Sequence, residues 1–328
     1  MAMRPTTNYR KTFNSTGSMK EKLLVSFSGG ETSGYMLWWI LKNWSLSYEI
    51  KVVFANTGQE NEETLIFIKK VSELFHVEVV WVEAVVNPEN KKGTTHKIVN
   101  FETASRKGEP FEAVIAKYGI SNPATPHCNR EMKLNAINSY MKSIGWKKYY
   151  SAIGIRVDEF DRMNAKRKER KLLYPLISEK PMSKAKINQW WNLQPFRLEL
   201  KGYQGNCKTC WKKSDAKLYT LINENRNQFD FFEQMEKKYE NFIPETRLKL
   251  MKERGEVPIL PTRFFRKNRS VQDLVNEAQN FKRMITDDSQ TLDNQIYLFD
   301  LLEEESCDIY SECGTTEMEL KINGHESI

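Results

Sequence analysis

The chain has 328 residues, 40% of them hydrophobic and 12% aromatic, so it can bury a large core and is not a disordered polypeptide. No apolar run approaches the roughly 20 residues that a membrane-spanning helix needs, and residues 1–20 lack the apolar centre of a signal peptide. The formal net charge is only +7. We therefore expect a cytoplasmic globular protein with no membrane partner.

Apolar strands alternate with amphipathic helices along the first half of the chain. The strands are near-continuous hydrophobic runs, which are typical of a parallel sheet covered on both faces. We expect an α/β fold with a doubly wound, mostly parallel sheet that binds ligands at the carboxyl ends of its strands. The pattern predicts strands at 23–28, 50–56, 77–85 and 149–155, and helices at 32–43, 62–75, 111–118 and 131–144.

The alternation of apolar strands and amphipathic helices ends after about residue 180. A short helix is predicted at 184–191, a loop-rich stretch follows at 195–205, and 215–281 reads as several polar, amphipathic helices. We expect these helices to form a C-terminal appendage. The predicted divisions are a flexible leader (1–20), a sheet domain (21–180), a cysteine-bearing and helical region (181–300) and a tail (301–328).

The first predicted strand leads into a glycine-containing loop, SGGETS, at 28–33. Gly29 and Gly30 can take positive φ and let backbone N–H groups approach a ligand closely. Thr32 and Ser33 add hydroxyl groups, and the next helix points its positive end at the same spot. The loop therefore predicts a phosphate site, although it lacks the Gly-Lys-[Ser/Thr] ending of the Walker loop. A strand–helix turn that binds nothing is the alternative.

Three motifs in order resemble the PP-loop ATP pyrophosphatases. The loop at 28–33 is similar to their Ser-x-Gly-x-Asp-Ser sequence, with Thr32 where Asp usually stands. The segment at 56–64 resembles the Asp-Thr-Gly…Glu-Thr element of the phosphoadenylyl-sulfate (PAPS) and adenylyl-sulfate (APS) reductases, which belong to that superfamily. The segment GIRVDEFDR at 154–162 resembles a third element of these reductases, Gly-Leu-Arg-Arg-x-Gln-Ser…Arg. The resemblance implies an adenine nucleotide alpha hydrolase-like fold and makes 21–180 the nucleotide-binding domain.

The resemblance also implies an adenine-nucleotide site for ATP, or for PAPS or APS. In the ATP-using members, Mg²⁺–ATP adenylates a carbonyl or amide oxygen, pyrophosphate leaves, and a sulfur or nitrogen nucleophile displaces AMP. Asp158 is a candidate catalytic residue as a Mg²⁺ ligand, as is Glu159, although either could instead pair with the nearby arginines. The expected nucleotide-binding residues are Ser28, Gly29, Gly30, Thr32, Ser33, Asn56, Thr57, Gly58, Arg156 and Arg162.

Cys207 and Cys210 form a Cys-x-x-Cys pair, a spacing that lets two thiolates bind one metal centre. The lysines beside them favour the thiolate form. The pair follows a glycine-bearing loop late in the chain, which favours metal binding over a thioredoxin-like redox pair. Cys128, taken alone, fits a buried cysteine before a helix.

The family resemblance adds Cys128 to that pair. APS reductases hold a [4Fe–4S] cluster with a Cys-Cys pair followed by Arg and Lys, plus a distant Cys-x-x-Cys. Cys128, with Arg130 and Lys133, is similar to the second cysteine of the pair, and His127 stands where the first is expected. The fourth ligand is His127, a tail cysteine or an open position for sulfide. A structural zinc ion on the same residues is the alternative.

The sequence ECGTT at 312–316 resembles the Glu-Cys-Gly-[Leu/Ile]-His end of the sulfonucleotide reductases. Their cysteine attacks the sulfate sulfur, which makes Cys313 a candidate catalytic residue. Thr315 and Thr316 replace the Leu-His end. Cys307 could resolve an intermediate on Cys313 or be an idle thiol.

Three functional classes follow from these features. We favour ATP-dependent, pyrophosphate-releasing sulfur transfer on nucleic acid with an iron–sulfur cluster, since basic clusters occur at 166–171 and 263–269. The alternatives are a PAPS or APS reductase acting through Cys313, and a non-catalytic nucleotide-binding module with structural zinc. Expected partners are the nucleotide, nucleic acid, and a sulfur donor or thioredoxin-like reductant. The sequence leaves homo-oligomerisation open.

Overall fold

A computed structural model describes residues 20–89 and 92–292. The predicted leader, apart from Lys20, and the predicted tail with Cys307 and Cys313 lie outside the described residues.

Six strands form one sheet: β1 (Glu21–Ser26), β2 (Tyr48–Asn56), β3 (Val79–Val85), β4 (Thr95–Val99), β5 (Tyr150–Ala152) and β6 (Leu172–Leu173). Their order across the sheet is β4-β3-β2-β1-β5-β6. Each neighbouring pair is parallel except β3 and β4, which are antiparallel. The predicted α/β fold with a mostly parallel sheet is confirmed.

The helices of the described part of the chain flank this sheet, and none is long and apolar enough to cross a bilayer. A π-helical segment, Cys128–Asn135, runs directly into the fourth α-helix. The α-helices are α1 (Glu31–Trp44), α2 (Glu62–Leu74), α3 (Glu109–Tyr118), α4 (Ala136–Ser143), α5 (Pro175–Ser178), α6 (Lys184–Asn192), α7 (Asp215–Glu224), α8 (Asp230–Tyr239), α9 (Glu245–Glu253) and α10 (Val271–Gln279).

Alternate side chains of each strand enter two different cores. Leu23 and Val25 of β1 pack with α1, α2 and α6 on one face of the sheet. Leu24 of β1 and Val53 of β2 pack on the other face with α3, α4, α7, α8 and α10. Burial on both faces explains why the strands are continuous apolar runs. The helices of the predicted appendage therefore share a core with the sheet.

The order of the strands reverses at β1, and this reversal positions the site. The chain passes from β1 to β2, β3 and β4 on one side, then returns to β5 and β6 on the other. Such a reversal opens a crevice at the carboxyl ends of the two central strands. The segments after β1 and β5 meet there, since a Cβ on Gly154 would lie 3.2 Å from the Cα atom of Ser33.

The sequence pattern missed β4, β6 and α5. Strand β4 lies at the sheet edge, where Thr95, Lys97 and Ile98 are exposed. An exposed edge strand needs no apolar run, so hydrophobic periodicity carries no signal for it. Strand β6 is only 2 residues long and α5 only 4, which is too short for a periodic pattern to be recognised.

Candidate functional site

The phosphate loop, residues 28–33, joins β1 to α1 and depends on Gly29 for its shape. Gly29 has a φ of +82°, and a Cβ there would lie 2.7 Å from Cγ2 of Thr64 and 2.8 Å from Cδ1 of Ile68. The positive φ and the lack of room for a Cβ atom therefore both require glycine at this position. This close packing turns the chain back over the sheet and directs the start of α1 to the crevice.

The first turn of α1 presents backbone donors and hydroxyl groups together. Gly30 is the N-cap residue and provides no side-chain cap for the helix. Because the first N–H groups of a helix lack intrahelical acceptors, an uncapped first turn is suited to an anion. The Ser33 hydroxyl donates to the Gly30 carbonyl oxygen at 2.9 Å, and its Oγ lies 3.1 Å from Oγ of Ser28.

Arg156 brings a buried guanidinium to the same loop. Its Nη1 donates to Oγ1 of Thr32 at 3.2 Å, and its Nε and Nη2 lie 3.0 Å and 2.9 Å from Oδ2 of Asp158. The carboxylate of Glu159 is bonded to Arg162 and lies 3.5 Å from Nη1 of Arg156. Both candidate magnesium ligands are thus paired with arginines, the alternative considered from the sequence. Their predicted role with Mg²⁺ stays a prediction.

One cavity of about 220 Å³ joins the phosphate loop to the cysteine pair. Its second side is formed by side chains from residues 198–217, here called the cysteine wall. The predicted site residues that line the cavity are Ser28, Gly30, Thr32, Ser33, Arg156, Glu159, Cys207 and Cys210. Those outside the lining, within the described residues, are Gly29, Asn56, Thr57, Gly58, His127, Cys128, Asp158 and Arg162.

The cysteine wall is fixed to the sheet by backbone hydrogen bonds. Cys207 forms an isolated antiparallel bridge with Glu60, and the Asn61 N–H donates to the Asn206 carbonyl oxygen at 3.1 Å. The side-chain amide of Asn206 donates to the carbonyl oxygen of Ser28 at 2.8 Å. The wall therefore contacts both the segment after β2 and the phosphate loop itself.

Lys213 holds the cysteine loop from within the wall. It is 5% exposed, and its Nζ donates to the carbonyl oxygens of Cys207 at 2.5 Å and Lys208 at 3.2 Å. These bonds place a positive charge at the backbone of the cysteine loop. The sequence indicated lysines beside the cysteines, and the structure identifies this lysine as the one bonded to the loop.

The segment after β2 is buried and bonded within the protein. The Asn56 amide donates to Oε1 of Glu83 at 2.6 Å and to the Ser105 carbonyl oxygen at 2.9 Å. The N–H and hydroxyl of Thr57 donate to the Glu60 carboxylate at 2.9 Å and 2.7 Å. Burial raises the pKa of Glu60 despite these hydrogen bonds. The contacts shape this turn, and the nucleotide roles of Asn56, Thr57 and Gly58 stay predictions.

Cys128 and His127 begin the π-helical segment. The Cys128 N–H donates to Oγ of Ser121 at 3.1 Å, and its side chain is part of the core. Burial, together with the positive charges of Arg130 and Arg247, lowers the pKa of His127 to about 4. The imidazole is therefore neutral at physiological pH, which is the form that binds metals.

The structure brings only some of the predicted metal ligands together. Within residues 20–89 and 92–292, no group of three or more His, Cys, Asp or Glu side chains is placed to hold a metal ion. Cys207 and Cys210 line the cavity and Cys128 does not, and none of the three is in a disulfide. The described residues therefore do not by themselves complete a ligand set, and the metal assignment stays a prediction.

Sequence reasoning missed an ion pair at the start of α1. The Nε and Nη2 atoms of Arg197 donate to Oε1 and Oε2 of Glu31 at 2.9 Å and 2.7 Å, and the Trp191 indole donates to the Glu31 carbonyl oxygen at 2.8 Å. The two charged residues are 166 positions apart. No local pattern in the sequence could have paired them.

The sequence of the chain matches a known family and two curated relatives. The family described as phosphoadenosine phosphosulfate reductase domain matches residues 22–193. The nin region protein ORF290 of Escherichia phage lambda is 31% identical over 199 residues, which are 60% of this chain and 67% of that protein. Protein MJ0066 of Methanocaldococcus jannaschii is 27% identical over 155 residues, which are 47% of this chain and 27% of that protein.

Among solved structures, the chain is similar to the U34-tRNA thiolase NcsA from Methanococcus maripaludis with its [4Fe-4S] cluster. The sequence identity is 15% and the TM-score 0.37, over 70% of this chain and 76% of that one.

Proposed function

Because the chain belongs to the phosphoadenosine phosphosulfate reductase domain family, we propose that it is an enzyme that binds ATP at the phosphate loop and uses it for sulfur transfer. One observation carries the proposal. The phosphate loop and the two cysteines of the Cys-x-x-Cys pair line the same cavity, so a nucleotide bound at the loop would lie in the same cavity as these cysteines.

The proposed first step is adenylation of the acceptor. A carbonyl or amide oxygen of the acceptor attacks the α-phosphorus of ATP, the α–β bond breaks, and pyrophosphate leaves. The uncapped N–H groups at the start of α1, with the Ser28 and Ser33 hydroxyls, are placed to stabilise the growing charge on the leaving group. The loop does this without rearrangement, since Gly29 already fixes its backbone.

Arg156 is proposed to bind a phosphate oxygen beside the loop. Its guanidinium is held in one orientation by Asp158 and by the Thr32 hydroxyl. A planar, oriented guanidinium can bind phosphate through two hydrogen bonds, which lysine cannot do. Asp158 acts in this proposal as a positioning residue for Arg156.

The second step transfers sulfur. A hydrosulfide ion from a sulfur donor attacks the adenylated carbon, the C–O bond breaks so that AMP leaves with the oxygen, and the remaining S–H proton is lost to solvent. Cys207 and Cys210 line the cavity in which this attack is proposed to occur. A [4Fe–4S] cluster is the form of sulfur carrier that the family resemblance implies, but no step here depends on it.

Product analysis tests this function. The anaerobically purified full chain should release pyrophosphate from ATP when supplied with sulfide and total RNA, and Arg156→Lys should reduce the rate at least tenfold. If the chain releases sulfite from PAPS or APS but no pyrophosphate from ATP, the result contradicts sulfur transfer. That result would favour the second candidate, a sulfonucleotide reductase, which the family description itself supports.

Metal analysis tests the cysteine assignment separately. Iron, acid-labile sulfide and zinc are measured in the wild-type chain and in Cys207→Ser, Cys210→Ser and Cys128→Ser. We expect about four irons and four sulfides per chain in the wild type, lost in each variant. If the chain contains one zinc ion and no iron or sulfide, the cysteines hold a structural zinc ion and the cluster assignment is wrong.

A further inference from the structure

The structure separates the two basic clusters that stand out in the sequence. In the cluster at 263–269, the guanidinium groups are half-buried and bonded within the protein. Their partners are the Glu240 carboxylate for Arg263, the carbonyl oxygens of Lys212 and Lys213 for Arg266, and the Asp215 and Glu277 carboxylates for Arg269. The arginines of this cluster therefore stabilise the fold.

The cluster at 166–171, here called the basic segment, is arranged differently. It contains five basic residues and one acidic residue, Glu169, and all six are exposed. Lys171 lies 5.3 Å from the centre of the Tyr150 ring. A run of exposed cations binds phosphate groups by releasing their counterions. Within the described part of the chain, the basic side chains that form neither an ion pair nor a hydrogen bond are those of Lys166, Arg167, Lys168 and Arg170.

An exposed aromatic ring stands between the cavity lining and the basic segment in the chain. Phe160 is 65% exposed and belongs to the 3₁₀ helix Val157–Arg162. It directly follows Glu159, which lines the cavity and is bonded to Arg162. A single exposed phenylalanine is common on protein surfaces. An exposed ring beside exposed cations is instead the combination that binds single-stranded nucleic acid, because the bases stack on the ring and the cations neutralise the phosphates.

The distance from the basic segment to the cavity suits a short stretch of nucleic acid. Leu172, the residue after the basic segment, pairs with Ser151 of β5. Gly154, which lies further along the same segment of chain as Ser151, lines the cavity. At about 3.3 Å per residue, the end of the basic segment lies roughly 10 Å from the level of the cavity. About three nucleotides span this distance at the spacing of one duplex strand.

We propose that Phe160 and the basic segment form a binding surface for single-stranded nucleic acid, which brings a nucleobase to the cavity. The inference rests on the proposed function, since it names the class of the acceptor. Nucleobases carry the carbonyl oxygens that the adenylation step requires, and the phosphodiester backbone supplies the negative charge for the basic segment. A base stacked on Phe160 would hold its neighbour at the cavity mouth. An acidic protein would match the charge but would leave the exposed ring without a role.

The salt dependence of binding tests the basic segment. Fluorescence anisotropy measures binding of the full chain to a labelled 12-nucleotide single-stranded RNA, and to DNA of the same sequence, over a range of KCl concentrations. We expect Lys166→Gln/Arg167→Gln/Lys168→Gln to weaken binding about tenfold. The slope of log Kd against log salt should fall by about 2, since each phosphate contact on a single strand contributes about 0.7.

The matched control is the triple variant Lys249→Gln/Lys252→Gln/Arg254→Gln. It removes two lysines and one arginine from exposed positions in and just after α9, none of which lines the cavity. We expect it to change the Kd less than twofold. Equal losses of affinity in the two triple variants would mean that net charge alone attracts the oligonucleotide, and would overturn the proposal.

The same titrations with Phe160→Ala test stacking. This variant should weaken binding about tenfold and leave the salt slope unchanged, because the ring carries no charge. Phe160→Trp should bind like the wild type, since it retains an aromatic face. The control is Leu46→Ala, which shortens a side chain that is 77% exposed between α1 and β2. No loss in Phe160→Ala, or a loss that Phe160→Trp shows equally, would overturn the proposal.

Further measurements separate the possible partners and the possible failures. The oligonucleotide that binds more tightly, RNA or DNA, identifies the polymer. If poly-glutamate competes as strongly as the RNA, the surface binds an acidic protein and the proposal is wrong. Pyrophosphate release with oligonucleotide binding that neither the triple variant nor Phe160→Ala weakens would remove this surface and leave the proposed function intact. Binding that depends on both, without pyrophosphate release from ATP, would instead remove the proposed function and keep the surface.

Discussion

The two sides of the cavity are built in different ways. The phosphate loop joins two consecutive elements, β1 and α1, and its turn packs Gly29 against α2, while Arg156 and Asn206 add bonds from distant segments. The cysteine wall between α6 and α7 contains no helix or strand up to residue 214, and its position depends on bonds to segments far away in the sequence. A turn with local constraints keeps its shape under most substitutions elsewhere. A wall held by a few distant hydrogen bonds can be displaced by the loss of one of them.

The largest expected effect comes from replacing one glycine by alanine on each side of the cavity, which adds a methyl group there. Gly29→Ala forces a positive φ on alanine and a contact of 2.7 Å with Thr64, so it should cost roughly 2–4 kcal/mol and abolish ATP binding. Gly205→Ala also has positive φ, but its nearest neighbour, Nζ of Lys213, is at 3.6 Å. We expect it to cost about 1–2 kcal/mol and to retain ATP binding.

Urea unfolding and isothermal titration with α,β-methylene ATP measure both variants. Gly145→Ala is the control, since its φ is +78° and no atom lies within 4 Å of the new methyl group. Similar losses in all three variants would mean that positive φ alone decides the outcome, and that crowding at Gly29 contributes little.

The next effect concerns the ion pair between Glu31 of the phosphate loop and Arg197, the residue that precedes the cysteine wall. Arg197→Met leaves the Glu31 carboxylate uncompensated at the entrance to the phosphate loop, where it would repel the nucleotide. We expect the Kd for the ATP analogue to rise about tenfold, or about 1.4 kcal/mol. The double variant Glu31→Gln/Arg197→Met should recover most of the affinity, because it removes the repelling charge. Failure of the second change to restore binding would assign Arg197 a role other than neutralising Glu31.

A smaller effect is expected at the bond between the two sides. Asn206→Ala removes the hydrogen bond to the Ser28 carbonyl oxygen, which should weaken nucleotide binding about threefold, as expected for one neutral hydrogen bond. It should also reduce the protection that a bound nucleotide gives Cys207 and Cys210 against iodoacetamide. Gln204→Ala is the control, since its side chain bonds Lys201 of the same wall. Unchanged protection in Asn206→Ala would mean that the two sides are not coupled.

The last effect is on stability alone and lies in the helices beyond the wall. Burial raises the pKa of Glu236 to about 7, although its carboxylate accepts from the Phe264 and Val271 N–H groups. A carboxyl group with a raised pKa stabilises the fold in its protonated form, and this contribution is lost as pH rises through about 7. Between the unfolded pKa of about 4.5 and pH 7, stability should fall by at most about 1.4 kcal/mol per pH unit from this group.

Unfolding in urea at pH 5, 6, 7 and 8 measures this dependence. Glu236→Gln should flatten the curve, since the amide does not titrate. If the stability of the wild type rises steadily across this range and Glu236→Gln shows the same slope, the pH dependence comes from other groups.

Sequence reasoning was most successful where structure is decided locally. The apolar runs around Val25 and Val53 predicted the central strands, because a sheet buried on both faces requires such runs. The glycine pair at 29–30 predicted the turn before α1 for the same local reason. Cys207 and Cys210 were singled out by spacing alone, and the structure brings them to the cavity.

Sequence reasoning was least successful where contacts join distant segments. The bridge between Glu60 and Cys207, and the pairing of Glu31 with Arg197, connect residues that no local pattern relates. Asn56 shows a related limit. Its motif predicts a nucleotide contact, which stays a prediction, but the motif gave no sign that its amide is bonded to Glu83 and Ser105. A motif fixes the residue type, but the surrounding fold decides which atoms that residue meets.

The hydrogen bond from Asn206 to Ser28 spans 178 positions of the chain, and this has a consequence for biosynthesis. At ribosomal rates of about 5–20 residues per second, the phosphate loop is made roughly 10 to 35 seconds before its partner in the cysteine wall. A nascent chain can thus form the turn at Gly29 long before the enclosure exists. Whatever chemistry the cavity performs is withheld until the wall has been synthesised and docked, so an interrupted translation product carries a phosphate loop without Cys207 and Cys210 beside it.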